Sequence, residues 1–175
     1  FVPKENIYVV TSEEYVGIVA DQLSDIPAEN IIAEPSRKNT AACIAYIAFK
    51  LYKKDPEALM MAAPADHLIM EKDEFAKTAL KALDFVGSND ALVTIGIKPT
   101  YPNTGYGYIQ YETKEAAPEI YQVKTFTEKP NLELAKTFIS SGDFLWNAGV
   151  FMWSSKDLIK AFEMYELEIK MRDSI

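Results

Sequence analysis

Apolar residues recur along this chain with two periods, and the switches between them divide it into elements. Ile7 to Val10 is a short apolar run ended by Thr11 and Ser12, and Glu13 and Glu14 then open the next stretch as a first helical turn prefers. Tyr15, Val16, Val19, Ala20 and Leu23 return at helical spacing, which predicts a helix over about Ser12 to Leu23, with Pro27 just beyond its end. A second strand is expected at Asn30 to Ala33. Ala41, Ile44, Ala45, Ala48, Leu51 and Tyr52 trace one face of a long helix, with Asn39 or Thr40 as its natural cap and Lys50, Lys53 and Lys54 toward its end. Ala58 to Ala63 is apolar without alternation, as expected of a strand covered on both faces. Asp73 can cap a third helix whose stripe is Ala76, Ala79, Leu80, Leu83 and Val86, closed by Gly87, and Ala91 to Ile97 reads as another strand.

Strands alternating with helices predict an α/β fold, a mostly parallel sheet with helices on both faces joined by right-handed crossovers. The pattern changes after Ile97. Lys98 to Gly107 is dense in turn formers, and Tyr108 to Glu112 and Ile120 to Glu128 alternate like a half-exposed hairpin, a small insertion in the sheet. A helix from about Asn131 to Ser140 stops at Gly142, Phe144 to Trp153 reads as a strand, and Ser154 or Ser155 caps a last helix. No repeat, low-complexity tract or linker interrupts the 175 residues, so 1–175 reads as a single, partial domain.

Composition narrows the partners. With 18 Lys and Arg against 26 Asp and Glu the net charge is -8, which disfavours phosphate polymers and leads us to expect no nucleic acid partner. One cysteine, Cys43, cannot form an internal disulfide, and no apolar run approaches the roughly 20 residues that span a bilayer. A soluble, cytoplasmic protein without a membrane partner is expected. The first residue is Phe1, in a segment with no basic region, apolar stretch or cleavage site of a signal peptide, as though cut from a longer chain.

In an open parallel sheet, ligands collect beyond the carboxyl ends of the strands, and the polar motifs fall there. Glu34 and Arg37, followed by Asn39 and Thr40 at a helix start, offer a carboxylate, an amide, a hydroxyl and free backbone N–H groups; that set suits a nucleobase beside a ribose or phosphate, or merely caps a helix. Asp66 ends an apolar run behind Pro64 and Ala65; a lone carboxylate at a strand end can hold Mg2+, which takes its other ligands from phosphates and water, or can simply cap or pair. His67 is expected to pack or hydrogen-bond beside that turn rather than ligate, and no Cys or His spacing suits zinc. Thr104 to Tyr108 places Gly105 and Gly107 between aromatic rings that could wall a sugar pocket or form an ordinary hairpin turn. Glu128 and Lys129 close one strand, and Asn147 sits alone among apolar residues of another. Sugar hydroxyls call for such donors and acceptors, and a phosphate for the lysine. Trp146, Phe151, Trp153 and Cys43 are most simply core, and nothing suggests a lowered thiol pKa.

Taken in order, EPSRKNTAACIA, APADHLI, GIKPTYPNTGYGYI, FTEKP and FLWNAGVFMW resemble the mannose-1-phosphate guanylyltransferases, or GDP-mannose pyrophosphorylases, of the sugar nucleotidyltransferase family. The resemblance implies a Rossmann-like α/β nucleotidyltransferase fold in which mannose 1-phosphate and GTP give GDP-mannose and pyrophosphate with Mg2+. It implies that Glu34, Arg37, Asn39 and Thr40 serve the guanosine side, that Asp66 ligates the metal, and that Gly105, Glu128, Lys129 and Asn147 line the sugar-phosphate side, with Asp66 and Lys129 catalytic. Arg37-Lys38 and Ala41-Ala42 depart from the family's usual residues at those positions. The family's G-x-G-T-R loop, the first strand that delivers it and a second metal-binding aspartate find no match here. These 175 residues alone are therefore expected to turn over little, the activity belonging to the parent protein. Two alternatives stand beside this reading: another sugar-1-phosphate nucleotidyltransferase, against which Glu-Pro…Asn-Thr argues, and a non-catalytic nucleotide-sugar-binding regulatory subunit. Homo-oligomerisation and a further isomerase domain stay open.

Overall fold

The structure, a computed structural model, describes residues 1–34 and 39–172, and of residues 39–42 and 165–172 the backbone alone. The chain divides into two compact units, Phe1–Met60 with Ser154–Ile175, and Met61–Trp153.

In the first unit, β1 (Val9–Ser12) and β2 (Ile31–Glu34) pair in parallel, from Val9 opposite Ile31 to Ser12 opposite Glu34. The helix expected from Ser12 starts instead as a 3₁₀ turn, Glu13–Tyr15, before α1 (Val16–Gln22), which lies against β2. Buried Asn30 donates through its amide to the carbonyls of Glu5 and Ile7, 2.9 and 3.1 Å away, fixing the lead into β1. The long helix α2 (Asn39–Lys54) begins where its cap was expected and packs with α5 (Ser155–Arg172). Ser154 caps α5, its hydroxyl oxygen accepting from the Asp157 N–H at 3.2 Å. Ser155, fully buried, donates from its N–H to the Ala58 carbonyl at 2.8 Å and from its hydroxyl to the Pro56 carbonyl at 2.9 Å.

The second sheet runs β3 (Leu59–Ala62), β7 (Phe144–Ser154), β5 (Tyr108–Ala117), β6 (Ile120–Thr127), with β4 (Val93–Ile97) also on β7. Here the expectation of a mostly parallel sheet fails: β4 and β5 both pair with β7 antiparallel, and β5 with β6 likewise. The strand–helix alternation speaks only for strands joined by single crossovers. β7 follows a hairpin and a helix, and enters the sheet reversed. Trp146 stands opposite Ile97 on one side and Tyr108 on the other, so the hairpin is an integral part of the sheet through β7. β3, last in the order of the described strands, also departs from expectation: Leu59 is 42% exposed and so is not covered on both faces.

Two helices cover this sheet. α3 (Lys72–Ser88) sets small Ala79 and Ala82 against Ala148, Val150 and Met152, with Phe75, Leu83, Val93 and Ile95 packed around them. It passes through Gly87 rather than stopping there; the Asn89 side-chain amide ends it by donating to the Phe85 carbonyl at 2.8 Å. Asp73 lies within its first turn, not at the cap. α4 (Leu132–Ser141) keeps close to the bounds the sequence predicts: the Asn131 side chain caps it, accepting from the Leu134 N–H at 2.9 Å, and Gly142 ends it at φ 80°. Its Ala135 and Phe138 close over Tyr108, Phe144 and Trp146, with the Phe138 and Phe144 rings stacked at 4.0 Å. Burial of each such ring stabilises by about 2–3 kcal/mol. No helix among the described residues is long and apolar enough to cross a membrane.

Candidate functional site

Asn147 is placed by an irregularity in β7. Thr94 stands opposite Phe151 but Gly96 opposite Asn147, so residues 148–150 of β7 face the single residue Ile95 and the strand bulges. Gly149 makes the bulge possible at φ 68°, and its bare Cα lies where a Cβ would come 3.3 Å from the Pro64 ring. The bulge turns the Gly149 N–H onto the Asn147 Oδ1 at 3.1 Å, and the Thr94 hydroxyl donates to the same oxygen at 3.0 Å. An N–H can only donate, so the atom facing it must be the amide oxygen. The Nδ2 group is left with no hydrogen bond among the described residues. The Asn147 backbone N–H, meanwhile, donates to the Gly107 carbonyl at 2.8 Å.

Gly107 belongs to the turn that Asn103 organises. The Asn103 side-chain oxygen accepts from the Gly105 N–H at 2.7 Å, and its backbone carbonyl accepts from the Tyr108 hydroxyl at 2.9 Å. The carbonyl of Tyr106, just before Gly107, accepts from the Lys129 N–H at 3.2 Å. Gly107 is buried, and a Cβ there would come 2.8 Å from the Glu128 Oε2 and 3.2 Å from the Phe126 ring. Lys129 sits at φ 44°, a left-handed conformation that turns the chain sharply between Glu128 and Pro130. The Glu128 and Lys129 side chains are 61% and 65% exposed and 3.8 Å apart, a pair too solvated to hold either one in place. Tyr101 and Tyr106 set their rings edge-on to Trp146, both at 5.1 Å. A hydrogen bond with Tyr101, and then its charge, pushes the Tyr106 phenol above its ordinary pKa.

Glu128, Lys129 and Asn147 thus meet around Tyr106 and Gly107, while Gly105 lies on the same turn, bonded to Asn103. Asp66 is exposed after β3, with no hydrogen bond or ion pair among the described residues, and Pro64 ties its turn to Gly149 of the bulge. His67 is exposed as well, not packed. In the first unit, Glu34 ends β2 near Cys43, whose thiol is raised above its ordinary pKa by burial first and by the Glu34 charge second. That direction agrees with the expectation that nothing lowers the thiol pKa, although Cys43 is half-buried rather than in the core. Arg37 lies outside the described residues, and so do the side chains of Asn39 and Thr40, whose backbones open α2.

Residues 3–171 match the family model for nucleotidyl transferases. The chain belongs to the nucleotidyl transferase family. Among curated relatives, a mannose-1-phosphate guanylyltransferase of Escherichia coli is 38% identical over 168 residues, covering 92% of this chain and 36% of the relative. One of Sinorhizobium fredii is 34% identical over 164 residues, covering 92% and 32%. This nucleotidyl transferase chain therefore spans about a third of the length of the curated relatives it matches. Of solved structures, one titled mannose-1-phosphate geranyltransferase, from Thermus thermophilus, superposes with a TM-score of 0.83 over 93% of this chain and 46% of its own; at 24% identity it shows the fold alone. One titled mannose-6-phosphate isomerase, from Helicobacter pylori, is 30% identical with a TM-score of 0.74, covering 87% and 57%.

Nucleotidyl transferases usually work with a divalent metal, and the donors present suit one way of holding it. Among the described residues no group of three or more His, Cys, Asp or Glu could cage an ion. Asp66, exposed and unpaired, fits an ion that arrives with its triphosphate and needs one protein carboxylate. Sequence reasoning missed Thr94 altogether and weighted Gly105 over Gly107. A threonine in a strand carries no local signal, and which of two glycines lies against a neighbour is set by β6 and β7.

Proposed function

We propose that the protein transfers GMP from GTP to mannose 1-phosphate, releasing pyrophosphate and forming GDP-mannose. One observation carries the sugar-phosphate side: three motifs far apart in sequence, the 104–107 turn, Glu128-Lys129 and Asn147, are joined through the Tyr106 and Gly107 carbonyls. The names of the curated relatives support the choice of substrates. In this reading a phosphate oxygen of the sugar attacks the α-phosphorus of GTP in line, and the bond to the leaving pyrophosphate breaks. No protein nucleophile is needed, so the chain's task is to position and to neutralise charge. Lys129 meets the sugar phosphate, Glu128 accepts from sugar hydroxyls, the Asn147 Nδ2 donates to the sugar, and Gly105 keeps the wall of that side thin. Glu34, Arg37, Asn39 and Thr40 serve the guanosine. Asp66 holds Mg2+, which when bound supplies positive charge to the triphosphate. The family match runs through both units, and we take residues 1–175 as part of one domain, in a cytoplasmic protein without a nucleic acid partner.

Pyrophosphate release by the full-length protein, assayed with GTP, ATP, UTP and dTTP against mannose and glucose 1-phosphates, tests this. GTP with mannose 1-phosphate should be preferred by at least about tenfold in kcat/KM. A preference for UTP or dTTP, or binding of GDP-mannose without turnover, would overturn it.

A further inference from the structure

We propose that Thr94 is a positioning residue for the sugar-phosphate side, one that aims the Asn147 amide nitrogen by clamping the bulge in β7 at both ends. The inference rests on the functional reading above and deepens it. The Thr94 hydroxyl lies 3.0 Å from the Asn147 Oδ1 at the start of the bulge and 3.0 Å from the Val150 carbonyl at its end. On the β4 side, residues 148–150 have only Ile95 opposite them, so the regular β4–β7 ladder is interrupted along this stretch. One hydroxyl with a single proton is shared between the two acceptors, a three-centre arrangement that draws the two ends together.

The consequence for Asn147 is orientational. Its side chain has two rotatable bonds, and the last is broad and nearly two-fold, so an unheld asparagine would present oxygen or nitrogen with similar ease. Two donors on one oxygen remove that ambiguity: the Gly149 N–H and the Thr94 hydroxyl occupy Oδ1, and Nδ2 is what remains to meet a ligand. A donor fixed in advance binds without the ordering cost a free rotor would incur, and it disfavours a ligand that presents a donor of its own. Thr94 itself touches no ligand in this account. Its methyl group is incidental; the hydroxyl carries the role.

The test uses the full-length protein with Thr94→Val, which keeps the shape and removes the hydroxyl, Thr94→Ala as a second hydroxyl-free variant should valine disturb folding, and Thr94→Ser, which keeps the hydroxyl alone. KM for mannose 1-phosphate should rise about tenfold in the hydroxyl-free variants, the scale of one oriented hydrogen bond, with KM for GTP unchanged and the serine variant at wild-type values. In parallel, the side-chain amide resonances of Asn147 should move in Thr94→Val, as Oδ1 loses one of its two donors, and keep their wild-type positions in Thr94→Ser. Unchanged Asn147 signals, an unchanged KM for the sugar phosphate, or equal losses for both substrates would each overturn the role of Thr94. Absence of turnover by the unsubstituted protein would instead overturn the functional reading, and is recognised before any variant is compared.

Discussion

At Gly107 one more carbon would have to displace its neighbours. A Cβ would meet the Glu128 carboxylate at 2.8 Å and the Phe126 ring at 3.2 Å. The carboxylate is the free end of an exposed side chain and can swing away, and Phe126 is itself 45% exposed, so the chain should still fold. Gly107→Ala should lower kcat/KM for mannose 1-phosphate by about tenfold or more while shifting stability by less than about 1 kcal/mol in urea titration, because it displaces Glu128 rather than core packing. A large loss of stability with intact kinetics would place the glycine's importance in folding alone. Residues of this kind were half legible beforehand. Two glycines between tyrosines announced a turn that a ligand could approach, yet nothing local distinguishes the glycine facing Asn103 from the one wedged against β6. Glu128, Lys129 and Asn147 stood out because charged and amide groups are conspicuous at strand ends and within apolar strands; the hydroxyl that holds Asn147 did not.

Elements ended by their own side chains were the readable ones. α4 carries its start in Asn131 and its stop in Gly142, and the structure uses both. Asn131→Ala should cost about 1 kcal/mol, read from the urea midpoint, with little change in KM for either substrate, since the cap holds only the first turn and the helix keeps Ala135 and Phe138 over Tyr108. No measurable destabilisation would show the cap to be idle. α3 was read less well, because Gly87 looks like a terminator and Asp73 like a cap, whereas packing of Ala79, Ala82 and Val86 carries the helix past one and starts it before the other. β7 was readable as a strand but neither its direction nor its bulge was. Direction follows from which neighbours accept it, and the bulge shows only in the register against β4, both matters of pairing between segments distant in sequence.

Over the whole chain, the strand–helix alternation foretold the class of fold and the parallel pairing of β1 with β2, but not the antiparallel pairing around β7. A charge of -8 over these 175 residues disfavours anionic ligands, so under the proposed function their capture would depend on cations placed singly, Lys129 foremost on the sugar side. That is the central claim: a hexose phosphate is held where the 104–107 turn, Glu128-Lys129 and Asn147 converge. A crystal structure of the full-length protein with GDP-mannose and Mg2+ tests it most directly. The account predicts the mannosyl phosphate against the Lys129 Nζ, sugar hydroxyls on the Glu128 carboxylate, and the Asn147 Nδ2 donating to the sugar at about 3 Å. A mannosyl group bound elsewhere, with the Asn147 Nδ2 facing only solvent and Lys129 beyond about 4 Å of any phosphate oxygen, would contradict it.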